Sequence, residues 1–262
     1  VSGLLRGKTI AVVAATGAIG SATTVELAAQ GAHVVAMARH QHKLDRLLSE
    51  LPDDAQVTAM VLDATDEKSV QQAFDEVAHD HGLDGTFNAV GAAPAELGYP
   101  ARAHETDLAT FMKPLELIVG STFLTSRTAA SLMAQNGGGA VVTLSATLSG
   151  GAFGFMANIS AVCGAVEALT RSLSGEYGPA GVRINCLRGD AMPETTTIQA
   201  TAAGQARLLG LSPEEFQMPP GPSGRPTTTA ETAAAAAFLL SDAARGLASQ
   251  TLTVSDTPRM GG

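Results

Sequence analysis

Apolar positions along this chain alternate between short unbroken runs and longer stretches with one apolar face. Ile10, Ala11, Val12 and Val13 form the first run and residues 32–36 the second. Runs apolar at every position predict strands buried on both faces. Between them, residues 14–20 form a turn of small side chains. A helix follows with Val25, Ala28 and Ala29 on one side, and Gly31 ends it. Val57, Ala59, Val61 and Leu62 predict a third strand closed by Asp63, and residues 69–81 a helix whose inner face carries Val70, Phe74 and Val77. A fourth strand, 85–89, opens into Gly91-Ala92-Ala93-Pro94. The pattern is helical from 107 to 133, with Pro114 expected to kink or divide it and Gly137 to Gly139 to stop it. Strands over 140–144, 182–187 and 251–254 and helices over 160–176 and 232–240 complete the series.

Repeated βα units of this kind predict an α/β fold: one Rossmann-type, doubly wound parallel sheet in a three-layer αβα sandwich, with 1–262 as a single domain. The polar, Thr-rich run 190–229, with Pro219, Pro220 and Pro222 near its end, reads as the one long irregular stretch. It follows the carboxyl end of a strand, where such sheets keep their ligand crevice, and is therefore expected to be a substrate lid rather than a linker.

Composition narrows the function classes. A 262-residue chain with 45% apolar residues can bury one large core. No apolar run is long enough to cross a bilayer, and no basic segment followed by an apolar one opens the chain, so a soluble cytoplasmic protein is expected. The formal charge of −9 and the scattering of the 16 basic residues argue against a nucleic-acid surface. Cys163 and Cys186 are the only cysteines, and no cluster of His, Cys and carboxylates has metal-ligand spacing, so neither a disulfide framework nor a metal site is expected. The first strand, small-residue turn and helix do suggest a ligand. Such a unit points backbone N–H groups at whatever occupies the helix N-terminus, usually a diphosphate.

Several landmarks match one family in order and spacing, and the whole chain resembles a short-chain dehydrogenase/reductase. Ala14 to Gly20 sits where that family carries its GxxxGxG turn. Asp63 matches its adenine-contacting Asp. Asn88-Ala89-Val90-Gly91 resembles its Asn-Asn-Ala-Gly turn. Val166-Glu167-Ala168-Leu169-Thr170-Arg171, Val182-Arg183-Ile184-Asn185, Phe238-Leu239-Leu240-Ser241-Asp242 and Gln250-Thr251-Leu252-Thr253-Val254 follow its later patterns. The resemblance implies a nicotinamide dinucleotide, a small-molecule alcohol or carbonyl substrate, and a homodimer or homotetramer. In the oligomer, the helix matching 107–133 and the helix matching 160–176 would pair about a two-fold axis.

The cofactor turn departs from the family pattern. Its glycines fall on Ala14, Ala18 and Gly20, with Gly17 and Ile19 between. The Cβ of Ala18 is expected to point toward the diphosphate path, while Gly17 offers a shifted route for the backbone. A glycine-poor turn with no nucleotide is the alternative. At the end of the second strand, NAD-selective folds place an acidic residue. Here Ala38 is followed by Arg39, with His40, His42 and Lys43 nearby. An arginine can hold a ribose 2′-phosphate bidentately, so NADP is expected, with NAD or no dinucleotide as alternatives. Asp63, Asn88, Gly91 and Arg188 complete the expected cofactor contacts.

The catalytic positions depart further. By resemblance, the family's Tyr falls at Ile159, its Lys at Cys163, its Ser at Ala146 and its Asn at Ile118. The only tyrosines are Tyr99 and Tyr177, and the last lysine is Lys113, so no Tyr-x-x-x-Lys exists anywhere. Isoleucine has no proton to transfer, and a general acid or base must have one within reach of the substrate. Ser145, Cys163 and His104 are the candidate substitutes. Each also has a structural reading: a hydroxyl satisfying backbone, a buried inert thiol, a surface imidazole. Where the family has Pro-Gly after the sixth strand, this chain reads Arg188-Gly189-Asp190. Arg188 either lies beside the nicotinamide pocket, where it would disfavour the oxidised ring and accept an anionic ligand, or pairs with Asp190. Three functions stay open: an NADP-binding oxidoreductase with a degenerate site, an inactive binding or scaffold protein, and a non-redox enzyme using the old pocket.

Overall fold

The computed structural model describes residues 3–212, 214–216 and 223–255, so Pro219, Pro220 and Pro222 lie outside the described residues. Within them, β1 (Thr9–Val13), β2 (His33–Ala38), β3 (Val57–Val61), β4 (Gly85–Asn88), β5 (Gly139–Ala146), β6 (Val182–Gly189) and β7 (Thr251–Val254) form one sheet in the order β3-β2-β1-β4-β5-β6-β7. Every neighbouring pair is parallel. Chain order reverses between β1 and β4, which opens a crevice beyond their carboxyl ends.

The apolar runs bury both faces, as their patterning requires. Ile10, Val12, Val34 and Ala36 pack with Leu27 of α1 (Ala18–Ala29), Leu44 of α2 (Gln41–Ser49) and Leu239 of α9 (Thr229–Leu240). The alternate residues Ala11, Val13, Val35 and Met37 pack with Phe74 of α3 (Glu67–Asp80), Met133 of α6 (Gly120–Gln135) and Leu173 of α7 (Ala157–Tyr177). Each fully buried aliphatic or aromatic side chain contributes roughly 1.5–3 kcal/mol, so the two layers supply most of the fold's driving force.

The expected division at Pro114 is present. After the short α4 (Pro94–Leu97), α5 (Leu108–Pro114) runs into a π-helical turn, Leu115–Val119, before α6. Proline has no N–H to give the preceding turn, and widening the ladder is one way to carry the chain past it.

Besides the short α4, two helices lie outside the sequence expectation. α2 follows Arg39 and His40 directly, with Leu44 and Leu47 on its buried face. The run 190–229 is not irregular throughout: α8 (Thr196–Leu209) occupies its middle. Thr195 caps α8 with its side chain and Gly210 closes it in the left-handed conformation, two local signals that the threonine-rich composition masks. α8 is docked on the loop after β4. A Cβ on Gly204 would meet Pro100 Cγ at 2.6 Å, and Arg102 Nη2 donates to the Leu208 carbonyl at 3.0 Å.

Candidate active site

The turn after β1 is built around a close approach. A Cβ on Gly20 would lie 2.2 Å from the Ala14 carbonyl oxygen, so this position of α1 admits only glycine. Ala14 has φ 60°, the left-handed region that favours glycine, which is the local cost of replacing the family's first glycine. Gly17 is the N-cap of α1, with φ −81° and ψ 167° and no side-chain cap. This is extended backbone open to any residue. Ala18 is exposed at the first position of the helix and Ile19 is half-buried. The N–H groups of the first turn therefore face outward at the β1–β4 crevice, with no acidic side chain among them. This end of α1 fits a diphosphate, narrowed by two methyl groups.

The register Ala38↔Val61 sets the ends of β2 and β3 side by side. Arg39 is exposed just past β2 and Asp63 just past β3. Bonds from the Thr65 hydroxyl (2.7 Å) and Thr65 N–H (3.0 Å) hold the Asp63 carboxyl below its ordinary value, and the Arg39 charge adds to this. Asn88 supports the turn after β4: its Nδ2 donates to Thr125 Oγ1 at 2.8 Å, and its Oδ1 accepts from Val90 N–H at 2.8 Å. Gly91 follows it, exposed and with open space where a Cβ would stand.

The four positions that the resemblance matches to the family's catalytic residues converge. Ala146 ends β5, Ile118 lies in the π-helical turn, and Ile159 and Cys163 sit one turn apart on α7, which begins at Ala157 rather than 160. Ile159 (8% exposed) belongs to an apolar cluster with Leu97, Tyr99, Met156 and Cys186, against which Ile118 and Leu148 pack. Hydrocarbon therefore surrounds Ile159 on this side of α7. Cys163 is 3% exposed, and burial pushes its thiol up to about 11, so it stays protonated and a poor nucleophile at neutral pH.

One more turn along the same face of α7 stands Glu167, a residue the sequence reading quoted only as part of a family pattern. Its Oε1 accepts from Ser145 Oγ (2.8 Å), Ser149 Oγ (2.6 Å) and Arg188 Nε (2.7 Å), and its Oε2 from Arg188 Nη2. Burial alone would raise this carboxyl, but the bonds from Arg188, Ser149 and Ser145 outweigh it and hold it below the ordinary value. Among the described residues Arg188 does not pair with Asp190; it pairs with Glu167, which neutralises its charge. Asp190 instead accepts from Thr147 Oγ1 (3.0 Å), from Ala191 N–H (2.8 Å) and from Ser255 Oγ. The signal for Glu167 was the i, i+4, i+8 spacing of Ile159, Cys163 and Glu167, which puts a carboxylate in line with two apolar side chains.

Ser145 is 6% exposed, and its hydroxyl proton is held by Glu167. A carboxylate paired with arginine is a weak base, so the arrangement does not activate Ser145 as a nucleophile. His104 stands apart from the cluster, in the 3₁₀ turn Ala103–Glu105, with its side chain 78% exposed and 3.7 Å from Glu105. Beside the cluster, the loops after β4 and β5 enclose a half-open apolar cavity of about 390 Å³, lined by Ala101, Leu108, Phe111, Phe155 and Asn158 among others. No helix among the described residues is long and apolar enough to cross a membrane.

Comparison with known proteins agrees with this architecture. The profile of the family described as enoyl-(acyl carrier protein) reductase matches residues 13–256. Galactitol 2-dehydrogenase (L-tagatose-forming) from Cereibacter sphaeroides is 32% identical over 245 residues, 92% of this chain and 90% of the relative. The crystal structure of levodione reductase superposes with a TM-score of 0.85 at 25% identity, over 96% of this chain and 97% of that one. A 7α-hydroxysteroid dehydrogenase complexed with NADH and 7-oxo-glycochenodeoxycholic acid gives 0.81 at 25% identity, over 97% and 96%. With the sheet order, the turn after β1 and these matches along nearly its whole length, the chain belongs to the short-chain dehydrogenase/reductase family of oxidoreductases.

Proposed function

We propose that this chain binds a nicotinamide dinucleotide, NADP in preference to NAD, in a site whose family proton-transfer residues are replaced, so that ordinary carbonyl–alcohol interconversion is slow. The observation that carries the binding half is the open first turn of α1, with Gly20 tight against the Ala14 carbonyl. Its N–H groups and helix dipole favour the diphosphate. The exposed Arg39 just past β2, near Asp63 and with no acidic residue at the end of β2, supports the preference for a 2′-phosphate. When bound, the dinucleotide supplies hydride exchange; the protein's part is to hold it, exclude water and move a proton.

That last task is the one the residues do not meet. Ile159 carries no proton, Cys163 holds its own, and Glu167 is fixed by three donors. A positioned general acid or base is worth typically 10²–10⁴-fold, and a loss of that order is expected on ordinary ketones. The apolar cluster around Ile118 and Ile159 also favours a second reading, a binding or scaffold protein without turnover. We further propose a two-fold assembly through α6 and α7, because Gly164, Ala168 and Ser172 leave a small-residue face exposed on α7. A monomer in light scattering at micromolar concentration would overturn it.

Fluorescence titration of reduced cofactors should give saturable binding, tighter for NADPH than for NADH. Arg39→Ala should erase that preference. An unchanged affinity ratio would show that Arg39 is no phosphate clamp, and no saturation at millimolar ligand would remove the dinucleotide altogether. Turnover over a panel of ketones, quinones and enones separates the two readings.

A further inference from the structure

We propose that Tyr99 is the ligand-contacting phenol of this site, its hydroxyl donating a hydrogen bond to the carbonyl or hydroxyl oxygen of an uncharged, mainly apolar molecule. The inference rests on reading the crevice as a ligand site. Tyr99 lies in the loop after β4, on a different element from the position where the family keeps its tyrosine. Its side chain packs in the cluster of Ile159, Met156 and Cys186, while Gly98 and Ala101 on either side line the outer cavity.

The residue is 8% exposed, yet its hydroxyl has no hydrogen-bond partner among the described residues. Nor is the oxygen sealed in the core: the partnerless buried side-chain atoms there are Thr23 Oγ1 and Ser126 Oγ. The hydroxyl thus keeps contact with solvent, and its hydrogen-bonding capacity is left to water or a ligand rather than to the protein. Here the free oxygen lies within electrostatic reach of the Cys163 thiol, the vacated lysine position. A ligand oxygen reaching it would take the place of water as the acceptor.

The surroundings define the ligand's character. Ile159, Met156, Leu148 and Ile118 present hydrocarbon, and Arg188 is already neutralised by Glu167, so a charged molecule would enter without compensation. Burial pushes the Tyr99 phenol up to about 12, and the neighbouring thiol adds to this. It therefore stays protonated at neutral pH and acts as a fixed hydrogen-bond donor, a positioning and specificity role rather than that of a general acid tuned to neutrality.

The test uses the chain's sparse aromatic content: Tyr99 and Tyr177 are its only tyrosines, and tryptophan is absent. Ring-labelled tyrosine should give two assignable resonances, with Tyr177→Phe identifying each. Acetophenone should move the Tyr99 resonance and leave that of Tyr177. Tyr99→Phe should weaken acetophenone binding about three- to tenfold, the net worth of one hydrogen bond, and leave ethylbenzene, which lacks the acceptor, unaffected. Cys163→Lys should draw the Tyr99 phenolate absorbance to lower pH, since an ammonium there favours the charged phenol. No acetophenone binding, an unmoved Tyr99 resonance, equal weakening of both probes, or an unshifted titration overturns the assignment. The nucleotide titration is read independently: failure there with a shifted Tyr99 resonance removes the dinucleotide and keeps the phenol.

Discussion

Replacing Glu167 with alanine is expected to cost about 3–5 kcal/mol of folding free energy in urea unfolding, the largest single-site loss foreseen for this chain. The side chains of Glu167 and Arg188 are only 8% and 15% exposed, so removing the carboxylate strands a guanidinium with little water around it. Two seryl protons lose their acceptor as well. Glu167→Met combined with Arg188→Met should recover at least half of the loss, because a buried ion pair gains little over well-packed hydrocarbon. If the double change is as costly as the single one, the pair stabilises beyond charge compensation and this account fails. The pH dependence has a definite sign. The folded carboxyl titrates below its ordinary value of 4.5, so its contribution is complete above that value and is lost as pH falls through the lower folded one. Glu167→Gln should flatten that acid limb.

Rebuilding the missing chemistry is the second large effect. Ala146→Ser, Ile159→Tyr, Cys163→Lys and Ile118→Asn together, with Ala14→Gly and Ala18→Gly in the turn, are expected to raise cofactor-dependent ketone reduction by about 10²–10⁴ over the parent. The backbone already holds the pieces: positions 159 and 163 are one turn apart on α7, facing the end of β5. An ammonium at 163 would meet Glu167, which gives the new charge a counter-ion but sets it in competition with Arg188. Single changes should do little, because groups acting as a unit are strongly non-additive, and each places a polar atom in the apolar cluster at a cost of about 1–3 kcal/mol. A repaired protein that binds cofactor normally and still reduces no ketone would mean that the shape of the 190–229 region, not the tetrad, limits the reaction.

The sheet was readable because β1 and β2 are nearly unbroken apolar runs and the later strands are short apolar stretches set between helical ones, even where polar residues such as Thr143 and Arg183 interrupt them. α2 and α8 were not, for different reasons. α2 has a clear apolar pair in Leu44 and Leu47, but it lies in a basic stretch that reads first as a phosphate site. α8 is made of Thr, Ala and Gln without a strong apolar stripe, and only its caps mark it. Family motifs were legible as motifs and silent about their work. Arg183 turns out to bind the carbonyls of Leu239, Ser241 and Ala244, clasping the end of α9, and Asn185 binds Leu247, so that pattern is structural. The positions matched to the family's tetrad could be counted off in the sequence. The polar cluster beside them could not be foreseen, because Ser145, Ser149, Glu167 and Arg188 come from three separate segments that only the parallel register of β5 and β6 brings together.

The wide turn at 115–119 has a consequence for how this chain can vary in length. Downstream of it, Thr125 faces β4 and receives the Asn88 amide; upstream, Phe111 faces the outer cavity. Successive residues of an α-helix are about 100° apart around its axis, so losing one residue from the bulge would restore a regular rod and swing one half by that angle against the other. Either the strand support or the cavity wall would turn toward solvent. The bulge thus works as an angular spacer, setting the phase between two faces that a straight helix of this sequence would place out of step.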